Sequence, residues 1–146
     1  MKTQVKLKAT TKEIYDAILT SVIGETKQHC GKDITLEDLS NGYKYHHKVQ
    51  QGKKIVDTTV HIKKPIENKN VHLSISYPDQ NFDMDYSLEA ISDKETMITY
   101  QQIGSKDTGK ESSIQKFLFD HSMKKRLKRM EKYIISNRDK KEETNK

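Results

Sequence analysis

The chain has 146 residues, of which 32% are hydrophobic and 33% are charged, and its formal net charge is +6. This length fits one domain with one core, and no apolar run approaches the roughly 18 residues of a membrane-spanning helix, which excludes an integral membrane protein. The single cysteine, Cys30, excludes an internal disulfide, so we expect a cytoplasmic protein in a reducing compartment.

The excess positive charge lies in one segment near the C-terminus. Between Ser112 and Ser136 the chain has seven Lys or Arg and two Asp or Glu, a net charge of +5. A charge run on a helix is usually its solvated face, but it also marks surfaces that bind nucleic acid or anionic membranes. Only three of the 27 cationic residues are arginines, so the chain is biased toward lysine.

The first predicted elements are a strand and an amphipathic helix. Thr3–Thr10 alternates apolar and polar residues, which is typical of a strand with one buried face. Its last residue precedes Glu13 by three positions, the spacing of a capping box that opens a helix. Behind this cap, Ile14, Ile18 and Val22 recur every four residues and form one apolar face.

The sequence predicts that this helix is interrupted and that a short helical turn and a series of strands follow it. We expect Gly24 to interrupt the helix, a second piece to end at Gly31, and a helical turn to begin at Thr35. Short turn-prone segments then separate five strand-like stretches: Tyr43–Gln50, Lys54–Ile62, Asn70–Tyr77, Phe82–Ile91 and Glu95–Ile103. Loops this short favour antiparallel neighbours.

The last predicted element is a long helix that opens with a capping box at Ser112 and Gln115 and runs to about Ser136. Its apolar stripe consists of Phe119, Met123, Leu127, Met130 and Ile134. A basic face opposite the stripe consists of Lys124, Lys125, Lys128, Arg129 and Lys132. We therefore expect one domain over residues 1–136 and a disordered charged tail over residues 137–146, which has no apolar residue.

The order of elements and three sequence segments resemble a known superfamily. The segments are Ile14–Tyr45, Thr99–Gly104 and Phe117–Ile134. Together they resemble the helix-grip fold of the START and birch-pollen-allergen superfamily (SRPBCC), and within it a group of small, functionally uncharacterised bacterial proteins common in Firmicutes. The resemblance implies an α+β fold, in which a curved antiparallel sheet of six or seven strands wraps around a long C-terminal helix, with two short helices after strand one. It also implies a cavity between the sheet and the long helix.

Strand alternation predicts which side chains would line such a cavity. We expect hairpin turns centred on Gln51-Gly52, Glu67, Asp79-Gln80 and Asp93, and the alternation of apolar and polar residues predicts one inward face for every strand. The polar and aromatic members of the inward set are the ligand-binding candidates: Tyr43, Tyr45, His47, Thr58, Tyr77, Tyr86 and Tyr100. A tyrosine suits a wall that is apolar except at its tip, but the same residues also fit ordinary core packing.

Two classes of function follow from these patterns. The first is a binding protein for a small apolar or amphipathic molecule, held between the sheet and the C-terminal helix. The alternative is an interaction module that binds nucleic acid or an anionic surface through the basic face, although that face has no interleaved aromatic residue for base stacking.

Other chemistry finds little support in the sequence. Gly104–Glu111 matches the start of a phosphate-binding loop, but Glu111 stands where Ser or Thr should bind Mg²⁺. Of the histidines, only His61 and His72 face each other across a predicted hairpin, and two exposed ligands make a weak metal site. No carboxylate falls on the inner face, so we assign no catalytic residue, cofactor or metal, although the tyrosines and His47 are capable of acid–base chemistry.

Overall fold

The computed structural model describes the backbone of residues 1–144 and the side chains of residues 1–138. The elements in chain order are β1 (Lys2–Leu7), α1 (Thr11–Cys30), α2 (Leu36–Ser40), β2 (Tyr43–Gln51), β3 (Lys54–Ile62), β4 (Asn70–Ser76), β5 (Asn81–Ala90), β6 (Thr96–Gly104) and α3 (Ser113–Thr144). Within the described residues, no helix carries an apolar stretch that would let it traverse a bilayer.

The six strands form one antiparallel sheet in the order β1-β6-β5-β4-β3-β2. The β5–β6 register pairs Tyr86 with Tyr100, as the turn at Asp93 predicts. In the β2–β3 hairpin Gln51 pairs with Lys54, so the turn lies one residue later than predicted. A turn displaced by one whole residue moves each partner by two, and an even shift leaves the side chains on their predicted faces. The predicted centre of the β3–β4 turn on Glu67 is wrong: the turn centres between Glu67 and Asn68, and this register lets the inward residues of the two strands oppose each other.

Helix α1 is a single 20-residue helix rather than two pieces. Thr10 and Glu13 form the predicted capping box, and Gly31 ends the helix with a left-handed backbone at φ 71°. The expected break at Gly24 is wrong. Val22 and Thr26 are buried on either side of it, and this packing keeps the exposed glycine in the helix.

Helix α3 carries the predicted apolar stripe, with Met123, Leu127 and Ile134 buried. The helix contacts β1 and α1, whereas α1 contacts β2, β4 and β5. Two helices therefore share the inner face of the sheet. The first turns of α3 present an apolar patch to solvent, which consists of Ile114, Phe117 and Leu118 with exposed fractions of 72%, 67% and 59%.

The structure differs from the sequence prediction beyond Ser136, because α3 continues to Thr144 and residues 145–146 lie outside the described part. Arg138 supplies the physical reason. Its guanidinium donates to the Glu13 carboxylate at 2.7 and 3.0 Å and to the carbonyl of Lys8 at 3.1 Å. A bidentate pair of this kind ties the helix to the start of α1.

The Arg138–Glu13 pair should stabilise the fold in a pH-dependent way. Burial alone would raise the pKa of Glu13, but hydrogen bonds from Arg138 and the Thr10 backbone lower it below its usual value. Both side chains are partly exposed, so Arg138→Gln should lower the free energy of unfolding by about 0.5–1 kcal/mol at neutral pH. A carboxyl with a lowered pKa loses its stabilising effect as pH falls through that pKa, so the difference should vanish in acid.

Chemical denaturation at several pH values measures this effect. Glu13→Gln is the matched background, because glutamine still completes a capping box. If Arg138→Gln costs as much in that background as in the native chain, the ion pair does not anchor α3.

Candidate functional site

A cavity of about 670 Å³ lies between α1, α3 and the middle of the sheet. Strands β4, β5 and β6 form its floor, and the two helices form its walls. The apolar part of the lining includes Ile18, Val22, Leu73, Met84, Leu127 and Met130. The space exists because neither helix extends over the whole inner face of the sheet.

Tyr86 and Tyr100 are the predicted ligand-binding residues that reach this cavity. Their ring centroids lie 4.8 Å apart, and the Tyr100 ring also stacks with Phe119 at 6.1 Å. The Tyr100 hydroxyl donates to Oε1 of Gln102 at 2.9 Å. Burial raises the pKa of both phenols, so both remain protonated at neutral pH and act as hydrogen-bond donors rather than as bases.

Charged residues complete the lining at the solvent side. Arg126, Arg129 and Glu25 all line the cavity, and all three are exposed. Arg129 was predicted to belong to the basic outer face. It lines the cavity instead, because it follows Arg126 by three residues and therefore lies on the same side of α3.

A second polar cluster lies under the C-terminal end of α1 rather than under α3. Tyr45 is buried, and its hydroxyl lies 2.8 Å from Nδ1 of His29. The His29 ring stacks on His47 at a centroid distance of 4.2 Å. Burial raises the pKa of Tyr45 to about 12, which keeps this phenol neutral. The sequence prediction of one tyrosine-lined face under α3 is therefore corrected, since α1 covers the β2 end.

The remaining predicted ligand-binding residues do not line the cavity. Tyr43 is half-buried with its ring 6.2 Å from that of Tyr45, and Tyr77 packs edge-on against Phe82 at 5.9 Å. Thr58 is buried opposite His47 in the β2–β3 register, and its hydroxyl has no hydrogen-bond partner within the described residues. Seven predicted residues thus separate into a pair on the cavity floor and a group packed within the sheet and under α1.

The lysines of the predicted basic face fall into two groups, those that form an ion pair with an acidic residue of α3 and those that form none within the described residues. Lys124 pairs with Asp120 at 2.9 Å, and Lys128 lies 3.6 Å from Glu131. These contacts are local ones along α3, which contribute little to stability. Lys125 and Lys132 are exposed, and neither takes part in an ion pair within the described part of the chain. Binding of nucleic acid or an anionic surface by this face remains a prediction.

The histidines and the glycine loop take on structural roles. His72 lies 3.3 Å from Asp83, and His61 pairs with Ser74, so the two histidines are not directly opposed. Over the described residues, no group of three or more His, Cys, Asp or Glu could hold a metal ion. In the loop Gly104–Glu111, the Gly104 N–H donates to the carboxylate of Asp107 at 2.8 Å. This amide hydrogen is therefore already bonded within the loop and is not directed at a phosphate.

Sequence reasoning missed the α1 wall of the cavity and the arginine pair. Ala17, Ser21 and Glu25 belong to α1, and the inward pattern of the strands carries no information about them. Arg126 carried one signal, because arginine is rare in this chain and two of the three arginines stand three residues apart.

The antiparallel sheet and the long C-terminal helix define the fold of the protein, and comparisons with solved structures support it. A conserved protein from Geobacillus kaustophilus is similar at 17% identity with a TM-score of 0.58, covering 92% of this chain and 94% of that one. Ara h 8.0201 is similar at 12% identity with a TM-score of 0.57, covering 93% and 97%. The di-domain ARO/CYC StfQ from the steffimycin biosynthetic pathway is similar at 9% identity with a TM-score of 0.50, covering 94% of this chain and 44% of that one. These likenesses show that the protein has the helix-grip fold.

The family is narrower than the fold. A family model described as "Domain of unknown function (DUF3284)" matches residues 1–121, so the chain belongs to that family. No curated protein sequence matches the chain significantly.

The contact between Tyr45 and His29 should contribute measurably to stability. Tyr45→Phe removes the hydroxyl that meets Nδ1 of His29 and should lower the free energy of unfolding by about 0.5–1.5 kcal/mol. Tyr43→Phe is the matched control, since its hydroxyl forms no hydrogen bond within the described residues. Equal effects of the two substitutions in denaturant unfolding would contradict a role for this hydrogen bond.

His47 should make the fold sensitive to mild acid. Burial and the neighbouring His29 ring lower the pKa of His47 from its usual 6.5. The unfolded chain therefore binds this proton more readily, and the free energy of unfolding should rise with pH across the window just below 6.5. His47→Phe should flatten that rise, whereas His46→Phe on the opposite face of β2 should not.

The measurement is the free energy of unfolding at closely spaced pH values between about 5 and 7, the range in which histidines titrate. Carboxyl groups contribute equally to both variants. An unchanged slope in His47→Phe would show that this histidine is not protonated differently in the folded and unfolded states.

Proposed function

We propose that this protein binds a small apolar or amphipathic molecule in the cavity between the sheet, α1 and α3. The observation that carries the proposal is the cavity itself, about 670 Å³ with a mainly apolar floor and a polar solvent side. Small-molecule sites in proteins occupy roughly 300–1,000 Å³ and combine apolar walls with a few polar groups.

The composition of the walls supports a ligand with a large apolar part. Three of the five methionines in the chain, Met84, Met123 and Met130, line the cavity. Methionine side chains are unbranched and polarizable, so they adapt to ligands of different shape. At the floor, the Tyr86 phenol offers a hydrogen-bond donor to a polar group within such a ligand, and the Tyr100 hydroxyl, which donates to Gln102, offers an acceptor.

The polar groups of the lining favour binding over catalysis. Covalent catalysis requires a nucleophile beside a base, and general acid–base catalysis requires groups that titrate near the working pH. Within the described part of the lining, the titratable groups are three tyrosines, two arginines and the exposed Glu25, and burial raises the pKa of two of the tyrosines, Tyr86 and Tyr100. We therefore assign the site a binding role with no catalytic step.

Filling the cavity should weaken binding without unfolding the protein. The probe is phenylnaphthylamine, an apolar dye whose fluorescence increases in apolar surroundings. Ala17 is half-buried on the α1 wall, and Ala17→Phe places a ring in the cavity. We expect probe affinity to fall about tenfold or more, which corresponds to 1.4 kcal/mol of binding free energy.

Two controls separate the cavity from other apolar surfaces. Ala90→Phe makes the same change at an exposed position on β5 that lies outside the cavity, and it should leave affinity unchanged. Phe117→Ser removes the aromatic ring of the exposed patch on α3. If the folded native chain binds no probe, or if only Phe117→Ser weakens binding, the proposed function is wrong.

A further inference from the structure

Arginine is used selectively in this chain, and its placement points to a property of the ligand. Two of the three arginines, Arg126 and Arg129, line the cavity. The lysines of the same helix region, such as Lys125 and Lys132, do not. Arginine differs from lysine in presenting a planar fork of donors that matches a carboxylate or a similar anion.

The third arginine shows what such a fork does when this protein pairs it internally. Arg138 holds the Glu13 carboxylate with two hydrogen bonds of 2.7 and 3.0 Å. Arg126 and Arg129, by contrast, form no ion pair within the residues whose side chains are described. The Nη1 of Arg126 reaches only the sulfur of Met123 at 3.6 Å, and a thioether is a weak acceptor.

Further donors lie on the same side of the cavity. The Tyr100 hydroxyl donates to Oε1 of Gln102 at 2.9 Å, which leaves the Gln102 amide hydrogens directed elsewhere. Arg126 lines the cavity together with Tyr86 and Tyr100, and its positive charge partly offsets the effect of burial on the pKa of both phenols. Arg126 and Gln102 are therefore both close to the floor of the cavity near Tyr100.

One acidic residue opposes this arrangement. Glu25 on α1 is the only carboxylate in the described lining, and it forms no ion pair with either arginine. The lining thus contains two guanidinium groups and one carboxylate, an excess of one positive charge beside an apolar floor. An anion on an apolar body satisfies both parts of the site.

We propose that the ligand is an amphipathic anion, with a carboxylate or a similar oxyanion bound by Arg126 and Arg129 and an apolar body lying over Met84, Tyr86 and Leu73. This inference rests on the proposed function and names the class of its ligand. Hydrogen bonds to charged groups are among the strongest in proteins, and the arginine pair supplies them at the end of the cavity that faces solvent.

A matched pair of dyes tests the proposal. Anilinonaphthalene sulfonate and phenylnaphthylamine have the same ring system, and only the first carries an anionic group. Replacing both arginines, Arg126→Gln with Arg129→Gln, should weaken sulfonate binding about tenfold, or 1.4 kcal/mol, and leave binding of the neutral dye unchanged. The control is Lys125→Gln with Lys132→Gln, which removes the same charge from the same helix and should affect neither dye.

Glu25→Gln provides an independent readout that leaves the arginines intact. Removal of the only carboxylate in the described lining should tighten sulfonate binding and leave the neutral dye unaffected. Two results would overturn the anion site while the cavity still binds the neutral dye. In the first, the arginine variant loses the same affinity for both dyes. In the second, the lysine control loses as much sulfonate affinity as the arginine variant. Failure of the native chain to bind either dye would instead overturn the proposed function, and this inference with it.

Discussion

The inner face of the sheet must be covered, and two helices share that task and leave a cavity between them and the sheet. An antiparallel sheet with one apolar face is stable only when that face is packed. Helix α3 contacts β1, and α1 contacts β2, β4 and β5. Between them lie the residues of β4, β5 and β6 that form the cavity floor. The cavity is thus a consequence of how the two apolar helix faces divide one sheet.

The polar residues of the inner face show how the two ends of the sheet differ. At the β2 end, α1 closes over Tyr45, and the buried phenol meets Nδ1 of His29 at 2.8 Å. At the β6 side, Tyr100 satisfies its hydroxyl with Gln102 beside open space. A buried phenol needs a hydrogen-bond partner wherever it lies. The partner of Tyr45 is His29, which belongs to the helix that covers this end of the sheet. The partner of Tyr100 is Gln102, which lines the cavity.

The charged residues of α3 also differ according to whether they face solvent or the cavity. Lys124 and Lys128 form contacts with acidic residues of their own helix, while Arg126 and Arg129 line the cavity. The net positive segment of the sequence therefore divides into a solvated face and a short edge that lines the cavity. Further along, Arg138 reaches back to Glu13 and holds α3 against the start of α1, so the two cavity walls are joined at one end.

The sequence by itself determined the order of elements, the single antiparallel sheet and the inward face of each strand. It could do so because alternation with period two survives small errors in turn position, as the displaced β2–β3 turn shows. It also determined the stripe of Met123, Leu127 and Ile134, since helical periodicity is a local property.

Only the tertiary structure decided which inward residues share a site. Tyr45 and Tyr86 have the same strand phase, yet α1 covers the first and the cavity exposes the second. The continuity of α1 through Gly24 and the contact of Arg138 with Glu13 also depend on packing between distant segments. The physical reason is that periodicity specifies the face on which a side chain lies, whereas the position of a helix across that face depends on long-range contacts that no local pattern encodes.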